Sequence, residues 1–359
     1  MPKISVILPV YNSSLYLRQC LDSIKNQTFS DIEVICIDDC SKDDSYAILQ
    51  EYAQNDKRFK ILRNRINHGT GYTRNKGLKI AKGKFILIVD ADDWLEPELC
   101  ELCINKITEK KCTFVIFGYN KYFEETGEYK YVKKMLKPFL KERKQLESPK
   151  KSKFILDDMT NNFIVSSFIW AIFVRHKFLL DNKIKYLNLR NFEDHSFFSD
   201  ICLNAKSVYI INKPLCNHRV YGESTTYRIT HQVKNIYEAK KYIFNKLKKT
   251  PTSEIKKIST YVYTIKSCLF WFEKYKEMCP EIEIKFYKTI QKIFKMFEPD
   301  YVESKVKPFL SEEDYAEYYR ILTTNPYQDK EANLALIIKI AALSVTIITM
   351  LILVGIKIF

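Results

Sequence analysis

Lys3-Ile4-Ser5-Val6-Ile7-Leu8-Pro9-Val10-Tyr11-Asn12 opens the chain with a near-continuous apolar run that turns polar at its end. A strand buried on both faces reads this way, whereas a strand with one wet face alternates. The segments that follow repeat the arrangement. Asn12-Ser13-Ser14 suits the cap of a helix running to about Gln27. Ile32–Ile37 reads as a second strand ending in Asp38-Asp39. Ser41-Lys42-Asp43-Asp44 resembles a capping box for a helix to about Ala53, with Asp where Glu or Gln is usual. Phe59–Leu62 is a third strand, Gly71–Ala81 a short helix, and Lys84–Val89 a fourth strand ending at Asp90. Pro97 suits the first turn of the next helix, and Cys112–Tyr119 is a fifth strand. The alternation predicts an α/β fold, a mixed but mainly parallel sheet with helices on both faces. In such sheets ligands gather beyond the carboxyl ends of the strands. Pro9-Val10-Tyr11-Asn12, Asp38-Asp39, Asn64 and Asp90-Ala91-Asp92-Asp93 converge on that edge.

Composition bounds the rest. At roughly 150 residues per domain, 359 residues give about two domains and an appendage. A 46% apolar and 28% charged composition excludes a disordered or fibrous chain. Ten scattered cysteines in a chain too long to need disulfide staples point to a reducing compartment. No secretory segment is read at the start, so the chain is expected in the cytoplasm.

Lys and Arg number 58 against 43 Asp and Glu, a net +15, and residues 1–100 contribute none of the excess. One basic block runs from Lys130 to Lys153; a second, Lys234 to Lys307, interleaves Lys with Tyr, Phe and Ile as lysine-faced amphipathic helices do. Ile340–Ile356 carries no charge, and with Lys339 snorkelling the apolar run reaches back to Leu334, making 23 residues. A bilayer core needs about 20, so a membrane anchor is expected over 334–359, a buried terminal helix being the alternative. Beside such an anchor, an anionic membrane surface is the expected partner of the basic faces. No nucleic-acid motif accompanies them. The expected division is 1–120 and 121–230 as two halves of one α/β domain, 231–333 as a basic helical region, and 334–359 as the anchor.

Asp90, Asp92 and Asp93 place three carboxylates within four residues of a strand end. Their repulsion is relieved by a divalent cation, and oxygen ligands suit Mg2+ or Mn2+ with substrate phosphates in the open positions. Asp92 or Asp93 equally suits the cap of the helix at Pro97. Asp38 and Asp39 suit either a local turn or a base or ribose hydroxyl. His68-Gly69-Thr70-Gly71-Tyr72-Thr73-Arg74 enters a helix with two glycines and an arginine able to neutralise a diphosphate. It matches neither the glycine-lysine phosphate loop nor the three-glycine dinucleotide fingerprint. Cys100-x-x-Cys103 lies on a predicted helix with no second pair at zinc spacing.

Taken in order, Ile4–Asn12, Ile37-Asp38-Asp39-Cys40-Ser41-x-Asp43, Gly69-x-Gly71-x-x-Arg74-Asn75-x-Gly77 and Asp90-Ala91-Asp92-Asp93-Trp94 resemble the successive blocks of the family 2 inverting glycosyltransferases of the GT-A fold, of the bacterial surface-polysaccharide type. The resemblance implies a nucleotide-sugar donor, usually a UDP-sugar, with Mn2+ or Mg2+ as cofactor. It implies that Pro9, Val10, Tyr11, Asn12 and Asp39 hold the nucleobase and that Arg74 lies near the diphosphate. The Asp-x-Asp element falls on Asp90 and Asp92, Asp92 being the metal ligand, with Asp93 a further candidate. Phe168–Arg175 is similar to the acceptor-facing segment, with Trp170. Asn191-Phe192-Glu193-Asp194-His195 is similar to the Glu-Asp motif, which makes Asp194 the catalytic base and Glu193 its acceptor-side neighbour. Asp194 also suits a helix cap. His218-Arg219-Val220-Tyr221-Gly222-Glu223-Ser224 resembles a block near the donor phosphates, with Arg219 in place and Tyr221 where His often stands.

The expected chemistry is displacement at the anomeric carbon of the donor, Asp194 taking the proton of an acceptor hydroxyl. The expected acceptor is a saccharide or lipid-linked saccharide, such as a lipopolysaccharide core or capsule, at the cytoplasmic face of the inner membrane. A catalytically silent nucleotide-sugar-binding scaffold is the alternative. It would keep Asp39 and Asp90–Asp93 but would not need Asp194.

Overall fold

The computed structural model describes residues 2–132, 171–222, 233–278 and 282–325. The apolar runs form strands where expected: β1 (Ile4–Val10), β2 (Ile32–Asp38), β3 (Phe59–Arg63) and β4 (Phe85–Ile88). β1, β2 and β4 bury almost every side chain, which is why no polar alternation marks them. Between them run α1 (Ser14–Lys25), α2 (Ser45–Asn55) and α3 (Thr70–Ile80). There follow β5 (Trp94–Leu95), α4 (Leu99–Glu109), β6 (Phe114–Phe123), β7 (Glu128–Tyr131), β8 (Ile172–Arg175), α5 (His176–Asp181), α6 (Glu193–Asn204) and β9 (Val208–Val220).

The strands form one sheet in the order β3-β2-β1-β4-β8-β6-β9-β5, with β7 paired to β6. The sheet is mixed, as expected of the GT-A fold. β1–β2, β1–β4, β2–β3 and β6–β9 are parallel, but β4–β8, β6–β8, β6–β7 and β5–β9 are antiparallel. β8 inserts between β4 and β6 and runs against both, so the sheet is mixed. Apolar runs reveal that a strand is buried but not its direction.

One core packs the sheet against α1 to α4 and includes Ile172–Val174, Phe197 and Cys216, so the strand at Phe114–Phe123 passes residue 120 without interruption. A second core lies in the helical region, α7 (Val233–Lys249), α8 (Glu254–Met278), α9 (Glu283–Phe294) and α10 (Glu312–Thr323). On α7, Val233, Ile236, Ala239, Lys240, Ile243, Phe244 and Leu247 are buried at three- and four-residue spacing, the stripe of an amphipathic helix. Each large apolar side chain so buried contributes about 1.5–3 kcal/mol. Phe192 and Leu203, from the two ends of α6, belong to this second core. The helix carrying Glu193 and Asp194 is therefore gripped from both sides.

The expected anchoring at a membrane is corrected. Among the described residues no helix is long and apolar enough to cross a membrane. The longest, α8, has 25 residues but carries Lys256, Lys257, Lys266, Glu273, Lys274 and Lys276. The stretch 334–359 lies outside the described residues, as do Trp170 and most of the basic block Lys130–Lys153.

Candidate active site

The carboxyl ends of β1, β2 and β4 lie side by side, with Val10 opposite Asp38. The two loops leaving β1 and β2 are zipped together. Asn12 N–H donates to Ser41 Oγ at 3.0 Å, Lys42 N–H donates to Asn12 Oδ1 at 2.8 Å, and Ser14 N–H donates to Asp43 Oδ2 at 2.9 Å. α1 thus takes its N-terminal partner from the neighbouring loop rather than from its own Ser13, which makes no side-chain cap. Asn12 adopts a left-handed φ of 48°, a conformation that Asn tolerates. The result leaves the Tyr11 ring 45% exposed at the mouth of the site.

Asp39, buried at the end of β2, accepts from Asn64 Nδ2 at 2.7 Å and from the backbone N–H groups of His68 and Gly69 at 3.0 and 2.7 Å. It fixes the loop that enters α3. Asp38 accepts from Ser41 N–H and pairs with Arg63 at 3.0 Å, which is the turn role the sequence allowed. At Gly69 φ is +87°, which favours glycine. Gly71 lies so close to the chain at 187–189 that a Cβ would stand 2.1 Å from the Leu187 carbonyl oxygen.

Arg74, on the first turns of α3, is buried and faces away from open solvent. Its guanidinium donates to Asp90 Oδ1 at 2.6 Å and to Glu193 Oε1 at 2.5 Å and lies over the Tyr186 ring at 5.4 Å. It thereby joins the end of β4 to the start of α6. Asn75 fastens the intervening chain by donating to Tyr186 O and accepting from Tyr186 N–H, both at 2.9 Å. Phe192 precedes α6 with a left-handed φ of 60°. Asp194 therefore does not cap α6; it lies in the first helical turn, half-buried, and accepts from His195 N–H at 2.9 Å. Burial and the neighbouring Glu193 carboxylate push the Asp194 pKa well above the usual carboxylate range, against the pull of Arg74.

Neither Asp92 nor Asp93 caps α4, whose N-cap is Glu98. Asp93 is buried beneath β9, accepting from Arg219 N–H at 2.9 Å and from His218 Nδ1 at 3.1 Å. Burial opposes the charge on His218, but Asp93, with Asp92 and Asp90 behind it, raises its pKa on balance. Asp92 accepts from the Tyr221 hydroxyl at 3.0 Å. Its pKa is raised by burial and then by repulsion from Asp93 and Asp90. Arg219 is enclosed: it stacks near Tyr16, Trp94 and Tyr122 at 4.3, 4.8 and 5.4 Å, and pairs with Glu124 and Gln19. Its Nε donates to Asp92 O at 3.0 Å, so it shapes the carboxylate turn from behind.

These surroundings bear on a metal. Among the described residues no group of three His, Cys, Asp or Glu side chains is disposed to hold one. Asp93 is committed to His218 and β9, and one oxygen of Asp90 to Arg74. Among the described residues Asp92 forms no ion pair, and burial with repulsion from Asp93 and Asp90 raises its proton affinity. A cation held by Asp92, assisted by Asp90 and completed by substrate oxygens and water, fits this donor set; an all-protein cage does not.

Sequence reasoning missed a third group. Lys240 of α7 is fully buried, with Nζ 3.0 Å from His195 Nδ1, 3.1 Å from Ser267 Oγ and 4.1 Å from the Tyr263 ring centre. It ties the helical region to the residue after Asp194. A lysine within the apolar stripe of α7 was the available signal. Cys100 and Cys103 are both buried thiols.

Comparison with known proteins identifies the family. The model of Glycosyl transferase family 2 matches residues 5–176. EpsH of Bacillus subtilis (strain 168) is 32% identical over 232 residues, which is 63% of this chain and 63% of EpsH, so the match spans just under two thirds of that relative. The glycosyltransferase GlyG of Streptococcus pneumoniae serotype 4 is 31% identical over 218 residues, 60% of this chain and 70% of GlyG. Among solved structures, residues 1–349 of S. aureus TarS in complex with UDP superpose with a TM-score of 0.67 at 21% identity, covering 92% of each chain. That likeness is one of fold. The chain belongs to glycosyl transferase family 2.

Proposed function

We propose that this protein is an inverting glycosyltransferase that moves a sugar, a hexose or hexose derivative, from a UDP-sugar to a saccharide acceptor in surface-glycan assembly. The observation that carries this reading is the Arg74 bridge, which sets the first turn of α6, with Asp194, against the Asp90–Asp93 turn. With Asp194 taken as the base, this bridge supports a reading in which the base stands across from the carboxylates that would face a diphosphate. Family membership supports the donor class, and the UDP complex of the structurally similar TarS supports the nucleotide.

In this reading Tyr11 lies against the base, with Asp39 beneath it and Pro9, Val10 and Asn12 shaping the groove. Asp194 accepts the proton of an acceptor hydroxyl while that oxygen forms a bond to the anomeric carbon. The bond from that carbon to the diphosphate oxygen breaks as the new one forms, which inverts the centre. A raised proton affinity suits Asp194 to this task, because it shortens the gap to the hydroxyl it must deprotonate. A divalent cation at Asp92, when bound, neutralises charge developing on the leaving diphosphate. Arg219 holds the Asp92 backbone in place, and Glu193 and Arg74 keep the base in register.

The test is to supply UDP-, GDP- and CMP-sugars with extracted cell-surface glycans and to analyse the product by NMR. Consumption of one UDP-sugar with inverted anomeric configuration supports the proposal. Retained configuration, or donor binding without product, contradicts it.

A further inference from the structure

β6 places Lys121 directly opposite Lys130 of β7 and opposite His218 of β9. Residues paired across strands share a face with their Cβ atoms about 5 Å apart, and like charges so placed are destabilising. Lys121 is half-buried. Its ammonium feels burial, then Lys130, then Lys274 of α8, all three of which disfavour its charge. Among the described residues, no carboxylate forms an ion pair with Lys121 or Lys130 that would relieve this. Lys274 has one at 3.6 Å, Glu277, from its own exposed helical surface.

Lys121 and Lys130 thus face each other with no counterion among the described residues, and Lys274 of a third element adds its charge. The opposite face of the same hairpin is aromatic, with Tyr122 and Tyr129 at 4.9 Å. The lysines are also tied to the site. The row ends at His218, whose Nδ1 is 3.1 Å from Asp93. On α8, Trp271 packs edge-on against Phe192 at 5.1 Å, immediately before Glu193 and Asp194. Lys274 follows three residues later, on the same helical face. The cluster accordingly lies between the carboxylate turn and the helix that carries the base.

We propose that Lys121, Lys130 and Lys274 seat an anionic group, a phosphate or phosphodiester, carried by the acceptor. This rests on the acceptor reading above and adds the chemical class of the acceptor. Lys121, half-buried, faced by Lys130 and without an ion pair among the described residues, persists where a ligand supplies the missing charge, and phosphodiester oxygens accept from several lysines at once. The site would orient a charged glycan or polyol phosphate so that a neighbouring hydroxyl reaches Asp194.

Binding to the full chain, saturated with UDP and Mn2+, tests this with three probes: a glycerol-phosphate oligomer, inorganic phosphate and neutral maltotriose. The oligomer should bind wild type and weaken about tenfold or more in Lys121→Gln, the value of one lost charged hydrogen bond. Lys121→Arg should retain most of the affinity. Lys274→Gln, on another element, should weaken it as well, and maltotriose should be indifferent to all three changes. Unchanged oligomer affinity in both glutamine variants would overturn the proposal. So would maltotriose, or inorganic phosphate alone, binding wild type as tightly as the oligomer. UDP affinity is measured on the same samples. Its absence in wild type would remove the donor reading, while the oligomer comparison without UDP would still decide the lysine site.

Discussion

Arg74 and Glu193, 119 residues apart in sequence, form a buried hydrogen-bonded ion pair at 2.5 Å. The guanidinium spends its other end on Asp90. Removing the cation leaves two carboxylates facing each other across a buried gap, a loss of about 3–5 kcal/mol for a buried pair. Arg74→Met should therefore lower the denaturant midpoint by that order and abolish turnover. Arg74→Lys should recover part of the stability but not activity, because one ammonium does not reproduce two fixed N–H directions. Chemical denaturation together with nucleotide release separates the two effects.

If Asp194 is the base, turnover requires its ionised form. Its pKa is raised by burial and by Glu193, so activity should fall as pH drops through a value above the ordinary carboxylate range near 4. A kcat profile with its acid limb at or below pH 4 would contradict the assignment. The profile is measured at saturating donor so that binding does not shape the limb.

Gly71→Ala sets a Cβ 2.1 Å from Leu187 O. Overpacking of this kind costs about 1–3 kcal/mol, and the segment it displaces leads directly to Glu193 and Asp194. Thermal melting should show the loss, and turnover should fall further than stability alone explains. An unchanged melting temperature would show that the segment yields freely.

Burial lowers the Lys240 pKa to about 8, against about 10.4 in the unfolded chain. Between those values the unfolded state binds more protons, so this lysine's contribution to stability rises with pH. Subtracting the Lys240→Met profile from that of wild type isolates the contribution from the buried thiols, which act in the opposite sense. The difference should climb between pH 8 and 10. A flat difference would place the charge elsewhere.

Chelation should suppress turnover, and Asp92→Asn should raise the Mn2+ concentration needed to restore it by tenfold or more, as loss of a ligand does. Asp93→Asn should act differently, chiefly by loosening β9, because Asp93 holds His218 and Arg219 N–H. Titration of activity with Mn2+ and a melting curve for each variant distinguish the two.

Much of the N-terminal part was legible because its side chains obey local rules. Buried strands read as apolar runs, and polar groups cluster where those strands end, so the position of Asp39, Asp90 and Asp92 beyond the strand ends was read from the sequence. Direction and pairing were not legible. Nothing near Ile172–Arg175 says that this strand inserts antiparallel beside β4, and β5 is only two residues long. Arg74 was identified but its partner was not, since Glu193 reaches it only through the tertiary fold. The enclosure of Arg219 by Tyr16, Trp94 and Tyr122, three residues far apart in the chain, was not legible either. Lys240 and Lys121 escaped notice for the same reason. Their meaning lies in what faces them.

The central claim is that Asp194 is the base of a sugar transfer, and nucleotide release by wild type and Asp194→Asn tests it most directly. Release of UDP from a UDP-sugar, lost by at least a hundredfold in Asp194→Asn while UDP binds both proteins equally, is the expected result. Equal release by the two proteins, with UDP binding intact, would contradict it.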